Sequence, residues 1–162
     1  MSLDDGSDNG VPKLASERKR LVRSLKNHGI TNKEVLGAID SVPRERFVED
    51  TLAYRSYEDI PLPIGNHQTI SQPHIVALMT DRLITRSARR DTVLEIGTGS
   101  GYQAAILSKL YKKVYTVERI KDLFVSADRT LCKLKIGNVE LRHGDGSEAV
   151  SYTHLRAHET AA

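Results

Sequence analysis

The run Val93-Leu94-Glu95-Ile96-Gly97-Thr98-Gly99-Ser100-Gly101-Tyr102-Gln103 constrains this chain more than any other stretch. Apolar residues lead to a carboxylate, three glycines alternate with small hydroxyl residues, and a helical pattern follows. A strand that turns at once into a helix, with its backbone against a ligand, needs this composition, because glycine tolerates positive φ and carries no Cβ. The spacing is Gly-x-Gly-x-Gly. It differs from the Gly-x-Gly-x-x-Gly of a dinucleotide site and lacks the Lys-Ser/Thr of a phosphate loop. The turn therefore reads as a cradle for a nucleoside whose ligand need not carry a pyrophosphate, with S-adenosylmethionine the leading candidate.

The flanking sequence supplies the framework for that turn. Thr92–Ile96 reads as a strand, 102–110 as a helix, Val114–Val117 as a strand, 120–134 as a helix and 139–142 as a third strand. Alternation of this kind begins an α/β, Rossmann-like, doubly wound and mostly parallel sheet. Ligands of such sheets lie beyond the carboxyl ends of the strands. The glycine turn, Glu118 and Asp145 all fall there. Leu123, Phe124, Ala127, Leu131 and Leu134 face inward on the second helix, and Cys132 reads as a core thiol on it.

Two helices precede this unit as an N-terminal extension. Leu14, Leu21, Val22 and Leu25 form one stripe between 13 and 27, ended by Gly29. Thr31-Asn32-Lys33-Glu34 reads as a capping box with Thr31 at the cap, opening a helix that carries Val35, Leu36 and Ile39 and stops before Pro43. Residues 44–70, with Pro61, Pro63 and Gly65, form a shaped loop or edge anchored by Ile60, Leu62 and Ile64. Ser71 is a good N-cap for a helix that tolerates Pro73 in its first turn and buries Ile75, Val76, Met79 and Leu83.

The 162 residues suffice for one domain. Residues 1–12 read as a disordered tail, 13–150 as the domain, and 151–162 as a cloning-derived tail excluded from fold reasoning. His154 and His158, four apart in that tail, lack the third ligand of a metal site, so no metal is expected. The formal charge of +3 is mild. The clusters at Lys13, Arg18, Lys19, Arg20, Arg23 and Lys26, and at Arg82, Arg86, Arg89 and Arg90, read as solvated helix faces and not as a nucleic-acid surface. No apolar run is long enough to span a bilayer. With a single cysteine, the reading is a cytoplasmic monomer with neither membrane nor nucleic-acid partner.

Glu118, closing the second strand, can accept both hydroxyls of a ribose held over the turn. Asp145, in Gly144-Asp145-Gly146, is placed to accept from an adenine amino group. Local duties, Glu118 capping a helix and Asp145 closing a turn, would explain either residue alone.

Three segments together resemble the protein-L-isoaspartate O-methyltransferase family of class I methyltransferases. They are Leu62-Pro63-Ile64-Gly65-Asn66-His67-Gln68-Thr69-Ile70-Ser71-Gln72-Pro73, the glycine turn, and Gly144-Asp145-Gly146; Val42-Pro43-Arg44-Glu45-Arg46-Phe47-Val48 resembles it too. The likeness runs from about Leu21 to about Ala149 and then stops. It implies a sheet incomplete on its C-terminal side, which predicts marginal folding. It also implies methyl transfer from S-adenosylmethionine to the free α-carboxylate of L-isoaspartyl residues in damaged proteins. The resemblance assigns Ser71 to the active site, and Gln68, Thr69 and Ile70 to the cofactor and substrate cleft. Glu95, Gly97, Gly99, Gly101, Glu118, Asp145 and Gly146 match the cofactor pocket, while His67 reads as a surface variation. The alternatives are a cofactor-binding but catalytically defective fragment, or a class I methyltransferase with another acceptor.

Overall fold

Helix α1 (Val11–Asn27) and helix α2 (Lys33–Ser41) form an antechamber to the sheet, and a computed structural model describes residues 11–148 in all. Leu21 and Leu25 of α1 meet Val35, Ala38 and Ile39 of α2 in a buried seam. Helix α1 starts at Val11, inside the span read as a tail; residues 1–10 and the expected tail at 151–162 lie outside the described residues. The cap of α2 is Asn32, not Thr31. Its Oδ1 accepts from the amides of Glu34 (3.0 Å) and Val35 (3.4 Å), satisfying two donors that the first helical turn leaves open. Part of the basic surface is ion-paired: Arg20 with Glu17, and Arg90 with Glu34.

Two 3₁₀ turns, Arg44–Phe47 and Asp50–Arg55, lead into an antiparallel hairpin of β1 (Leu62–Gly65) and β2 (Gln68–Ile70). This resolves the irregular 44–70 stretch. Asn66 and His67 occupy its two-residue tip with φ of 51° and 56°, the left-handed pair that matches strand twist. Leu62 and Ile70 anchor the hairpin in the core.

Helix α3 (Pro73–Arg86) then leads to the sheet, whose strands β3 (Thr92–Ile96), β4 (Lys113–Glu118) and β5 (Val139–His143) run parallel in the order β3-β4-β5. Val93 pairs with Val114, and Val114 with Val139. The crossovers are α4 (Tyr102–Leu107) and α5 (Lys121–Lys133), both packed on β4. This is an incomplete Rossmann-like sheet, as the alternating pattern implies. Leu123, Ala127 and Leu131 are buried, while Phe124 and Leu134 are only partly covered. Cys132 is exposed on α5 and is not a core thiol, because it lies next to the buried Leu131 and a helix turns about 100° per residue.

The expected inward face of α3 is corrected more sharply. Val76, Ala77, Thr80 and Ile84 are buried, but Ile75, Met79 and Leu83 point outward, Met79 being 59% exposed. Met79 and Leu83 flank the free edge of β3, where Ile96 is 56% exposed. Among the described residues, nothing covers that side. No helix among them is long and apolar enough to cross a membrane.

Candidate active site

Beyond Ile96 the backbone leaves the sheet, and its amides are held by the neighbouring strand. Gly97 N–H (2.8 Å) and Thr98 N–H (3.2 Å) both donate to the Val117 carbonyl, and Gly101 N–H donates to the Thr98 carbonyl at 2.9 Å. Gly97 sits at φ +88° with open space where a Cβ would stand, so the backbone can be approached directly from the cleft. Gly101, at φ +89°, does a different job. A Cβ there would just touch that of Ala127 at 3.4 Å, so it is the left-handed backbone that calls for glycine where α4 starts against α5.

Glu118 is buried at the tip of β4. Its two oxygens accept from Gly99 N–H and Ile120 N–H, each at 2.8 Å. The carboxylate therefore fastens the turn and the start of α5, as the local reading would have it. Each oxygen keeps a further lone pair, so anchoring is compatible with accepting ligand hydroxyls. Asp145 likewise makes the local bond, its Oδ1 accepting from Ser147 N–H at 2.9 Å. That bond lowers its pKa, keeping the exposed carboxylate ionised and a pure acceptor. At Gly146 a Cβ would fall 2.2 Å from Ile96 Cγ2, so any larger residue forces that side chain to shift.

These groups enclose a cleft of about 360 Å³, lined by Gln68 and Thr69 of the hairpin, Gly97 and Gly99 of the turn, Glu118, and the Asp145–Gly146 loop. Its volume lies within the range of small-molecule sites. Apolar walls from Ile96, Ile120 and Leu123 suit a flat ring, and the two carboxylates suit hydroxyl and amino donors.

The remaining expected residues lie elsewhere. Ile70 is buried in the core and lines neither this cleft nor its neighbour. Gly101 faces α5. Glu95 lines a second, larger groove of about 660 Å³ along the free edge of β3, with Met79 and Leu83 as its apolar floor. There the Thr116 hydroxyl donates to Glu95 Oε2 at 2.5 Å, and the Thr98 and Thr116 hydroxyls are 2.7 Å apart. Burial pushes the Glu95 carboxyl up to about 8, against the opposing Thr116 bond and with help from the charge of Glu118.

Ser71 lines this second groove too, and the two cavities meet at Ile96 and Gly97. Its side chain does not cap α3; Gln72 holds that position without a capping bond of its own. The cap comes from Asp59, whose Oδ1 accepts from His74 N–H at 2.7 Å while Oδ2 accepts from the Gln72 side-chain amide at 3.1 Å. The Ser71 hydroxyl is thereby left exposed at the groove. Sequence reading misses Asp59 because no local pattern joins it to a helix that starts fourteen residues later. It also misses Arg44, which is wholly buried and donates to three backbone carbonyls. Arginine is rarely buried, so only its place inside the quoted Val-Pro-Arg motif hinted at a role.

A family profile described as protein-L-isoaspartate(D-aspartate) O-methyltransferase matches residues 16–154. A protein-L-isoaspartate O-methyltransferase of Photorhabdus laumondii is 53% identical over 134 residues, covering 82% of this chain and 63% of that protein. A solved protein-L-isoaspartate O-methyltransferase superposes with a TM-score of 0.72 at 32% identity, covering 80% of this chain and 42% of the other. A Plasmodium falciparum protein assigned as a β-aspartate methyltransferase, solved in complex with S-adenosyl-L-homocysteine, gives a TM-score of 0.67 at 29% identity, covering 78% and 62%. The chain thus spans about three-fifths of the length of the curated relatives it matches.

Proposed function

The chain belongs to the protein-L-isoaspartate(D-aspartate) O-methyltransferase family, and from that premise we propose that the protein carrying it methylates the free α-carboxylate of L-isoaspartyl residues in damaged proteins. The donor is S-adenosylmethionine, which supplies, when bound, a methyl group on a positively charged sulfur. One observation carries the reading. The nucleoside-sized cleft at the glycine turn opens at Ile96–Gly97 into a groove that presents the uncommitted Ser71 hydroxyl.

The residues divide the work. Gly97 and Gly99 let the donor approach the backbone, Glu118 accepts from its ribose, and Asp145 accepts from its adenine amino group. Gln68 and Thr69 close the cleft from the hairpin, and the Ser71 hydroxyl orients the acceptor carboxylate. The acceptor is ionised at neutral pH, so no strong general base is needed. Catalysis reduces to holding acceptor and donor in line with water excluded. The ionised Asp145 and the open face of Gly97 support the fit of the donor; Glu95, Ile70 and Gly101 serve as structural supports around it. The single cysteine supports a cytoplasmic setting.

The uncovered groove beside Ser71 favours a second reading for the 162-residue chain alone, which binds the donor but transfers poorly because the acceptor side is open to water. One assay separates the readings. Labelled S-adenosylmethionine is incubated with matched peptides containing L-isoaspartate or L-aspartate, and base-labile methyl ester is counted. Label on the isoaspartyl peptide alone supports the proposal. Binding of S-adenosylhomocysteine by calorimetry without transfer supports the second reading. Transfer to another acceptor, or no binding at all, overturns both.

A further inference from the structure

We infer that Arg44, backed by Asp59, is a positioning residue that sets where Ser71 stands relative to the glycine turn; this rests on the methyl-transfer reading above. The guanidinium is fully buried and, among the described residues, has no carboxylate at ion-pair distance. Nη1 donates to the Ser56 carbonyl at 2.5 Å, and Nη2 donates to the carbonyls of Ile60 (3.2 Å) and Ser71 (3.0 Å). Nε has no hydrogen-bond partner. Burial disfavours the Arg44 charge, and among the described carboxylates Asp59 favours it through space; with no direct ion pair to offset its desolvation, the cation depends on its hydrogen bonds. Here they join the Arg44–Phe47 turn to the 56–60 loop and to Ser71, segments that share no secondary structure.

The other face of the guanidinium lies 5.7 Å from the centroid of the Tyr102 ring, which Phe47 from the same 3₁₀ turn also contacts edge-on at 5.5 Å. Tyr102 follows Gly101 directly. Two contacts therefore run from the end of the glycine turn to the Ser71 carbonyl: ring to guanidinium, guanidinium to carbonyl. From the opposite side Asp59 holds His74 N–H and the Gln72 side chain. Ser71 is clasped at its own carbonyl and three residues on, while its hydroxyl stays free. A lysine keeps the charge but presents its donors from one atom, and cannot reproduce a planar fork reaching separate segments.

The test uses the native protein that carries this sequence, with Arg44→Lys and Asp59→Ala. Three quantities are measured: kcat and KM for an L-isoaspartyl peptide, the Kd for S-adenosylhomocysteine, and hydrogen exchange across residues 70–75. A displacement near 1 Å in an in-line transfer lowers turnover by about 10- to 100-fold. Arg44→Lys is expected to lower kcat by that much with Kd unchanged within twofold and exchange of the His74 amide accelerated. Asp59→Ala is expected to show the same signature in weaker form, and carries the test if the Arg44 variant does not fold. Unchanged kcat in a folded variant overturns the inference. So does a loss of cofactor affinity in step with a lower Tm, which marks a merely structural role. A wild type that fails to methylate sinks the underlying reading instead, and unaltered exchange of the His74 amide then overturns the clasp on its own.

Discussion

Helices α3 and α5 both carry an amphipathic pattern, yet one is sealed and the other is not. Leu123, Ala127 and Leu131 of α5 close against the turn and the sheet, whereas Met79 and Leu83 of α3 face an open groove along the unpaired edge of β3. Periodicity tells which face of a helix is apolar; it does not tell whether the partner for that face is at hand. In the longer relatives roughly two-fifths of the chain lies outside the matched region, and we propose that sequence of this kind covers the groove and completes the acceptor side.

A matched pair of truncations breaks or confirms that contrast most directly. Leu131 is 4% exposed and Leu83 is 37% exposed. In the 162-residue chain, Leu131→Ala is expected to cost about 2–5 kcal/mol, as for buried leucines generally. Leu83→Ala should stay within about 1 kcal/mol, since much of its surface is already wet. Urea midpoints of the two variants decide it, and equal losses would mean that α3 is covered after all. Repeated in a longer native protein, the Leu83 cost should rise towards that of Leu131.

Glu95 sharpens the comparison from within β3, because its side chain lies on the groove side of the strand. A carboxyl lifted to about 8 when folded stays protonated while the unfolded chain ionises near its ordinary value. The folded state is thus favoured below that ordinary value and loses stability as pH rises towards about 8. Glu95→Gln keeps an acceptor for Thr116 and cannot ionise. Its stability profile should be flatter across this window, and the variant should gain on the wild type as pH rises towards about 8. Parallel profiles for variant and wild type, measured by denaturant titration, would place Glu95 in contact with water.

The fold was readable wherever a pattern is local. The strand and helix alternation from 92 to 143, the acidic tips Glu118 and Asp145, and the glycine turn were all legible, because period and turn chemistry act over a few residues. The parts that were not legible depend on distant partners. Thr31 and Ser71 look like caps in sequence, but Asn32 and Asp59 take those duties, since a cap is settled by the direction in which the chain enters the helix. Arg44 stands in sequence only as part of a family-like motif, and its role emerges when carbonyls of the 56–60 loop and of Ser71 converge on it. The division of the expected site residues between two cavities, with Ile70 and Gly101 in neither, required three-dimensional packing. Asp59→Ala against Ser71→Ala tests this lesson: about 1–2 kcal/mol lost for the first by thermal melting and close to none for the second. The reverse order would return the cap to Ser71.

The smallest effect separates the hairpin from the helices on either side of it. His67 sits at φ +56° in a turn whose two central residues are both left-handed. Asparagine is at ease in that region, so Asn66 costs little, but a histidine side chain there is less favourable than glycine. Its position at the exposed tip leaves it few contacts to lose. His67→Gly relieves the backbone while enlarging the freedom of the unfolded chain, two effects of opposite sign. The first dominates where φ is positive, and a gain of about 0.5 kcal/mol is expected in urea titration. A loss of stability would show that the imidazole holds the tip through contacts of its own, and that the hairpin, unlike the edge of β3, has a partner.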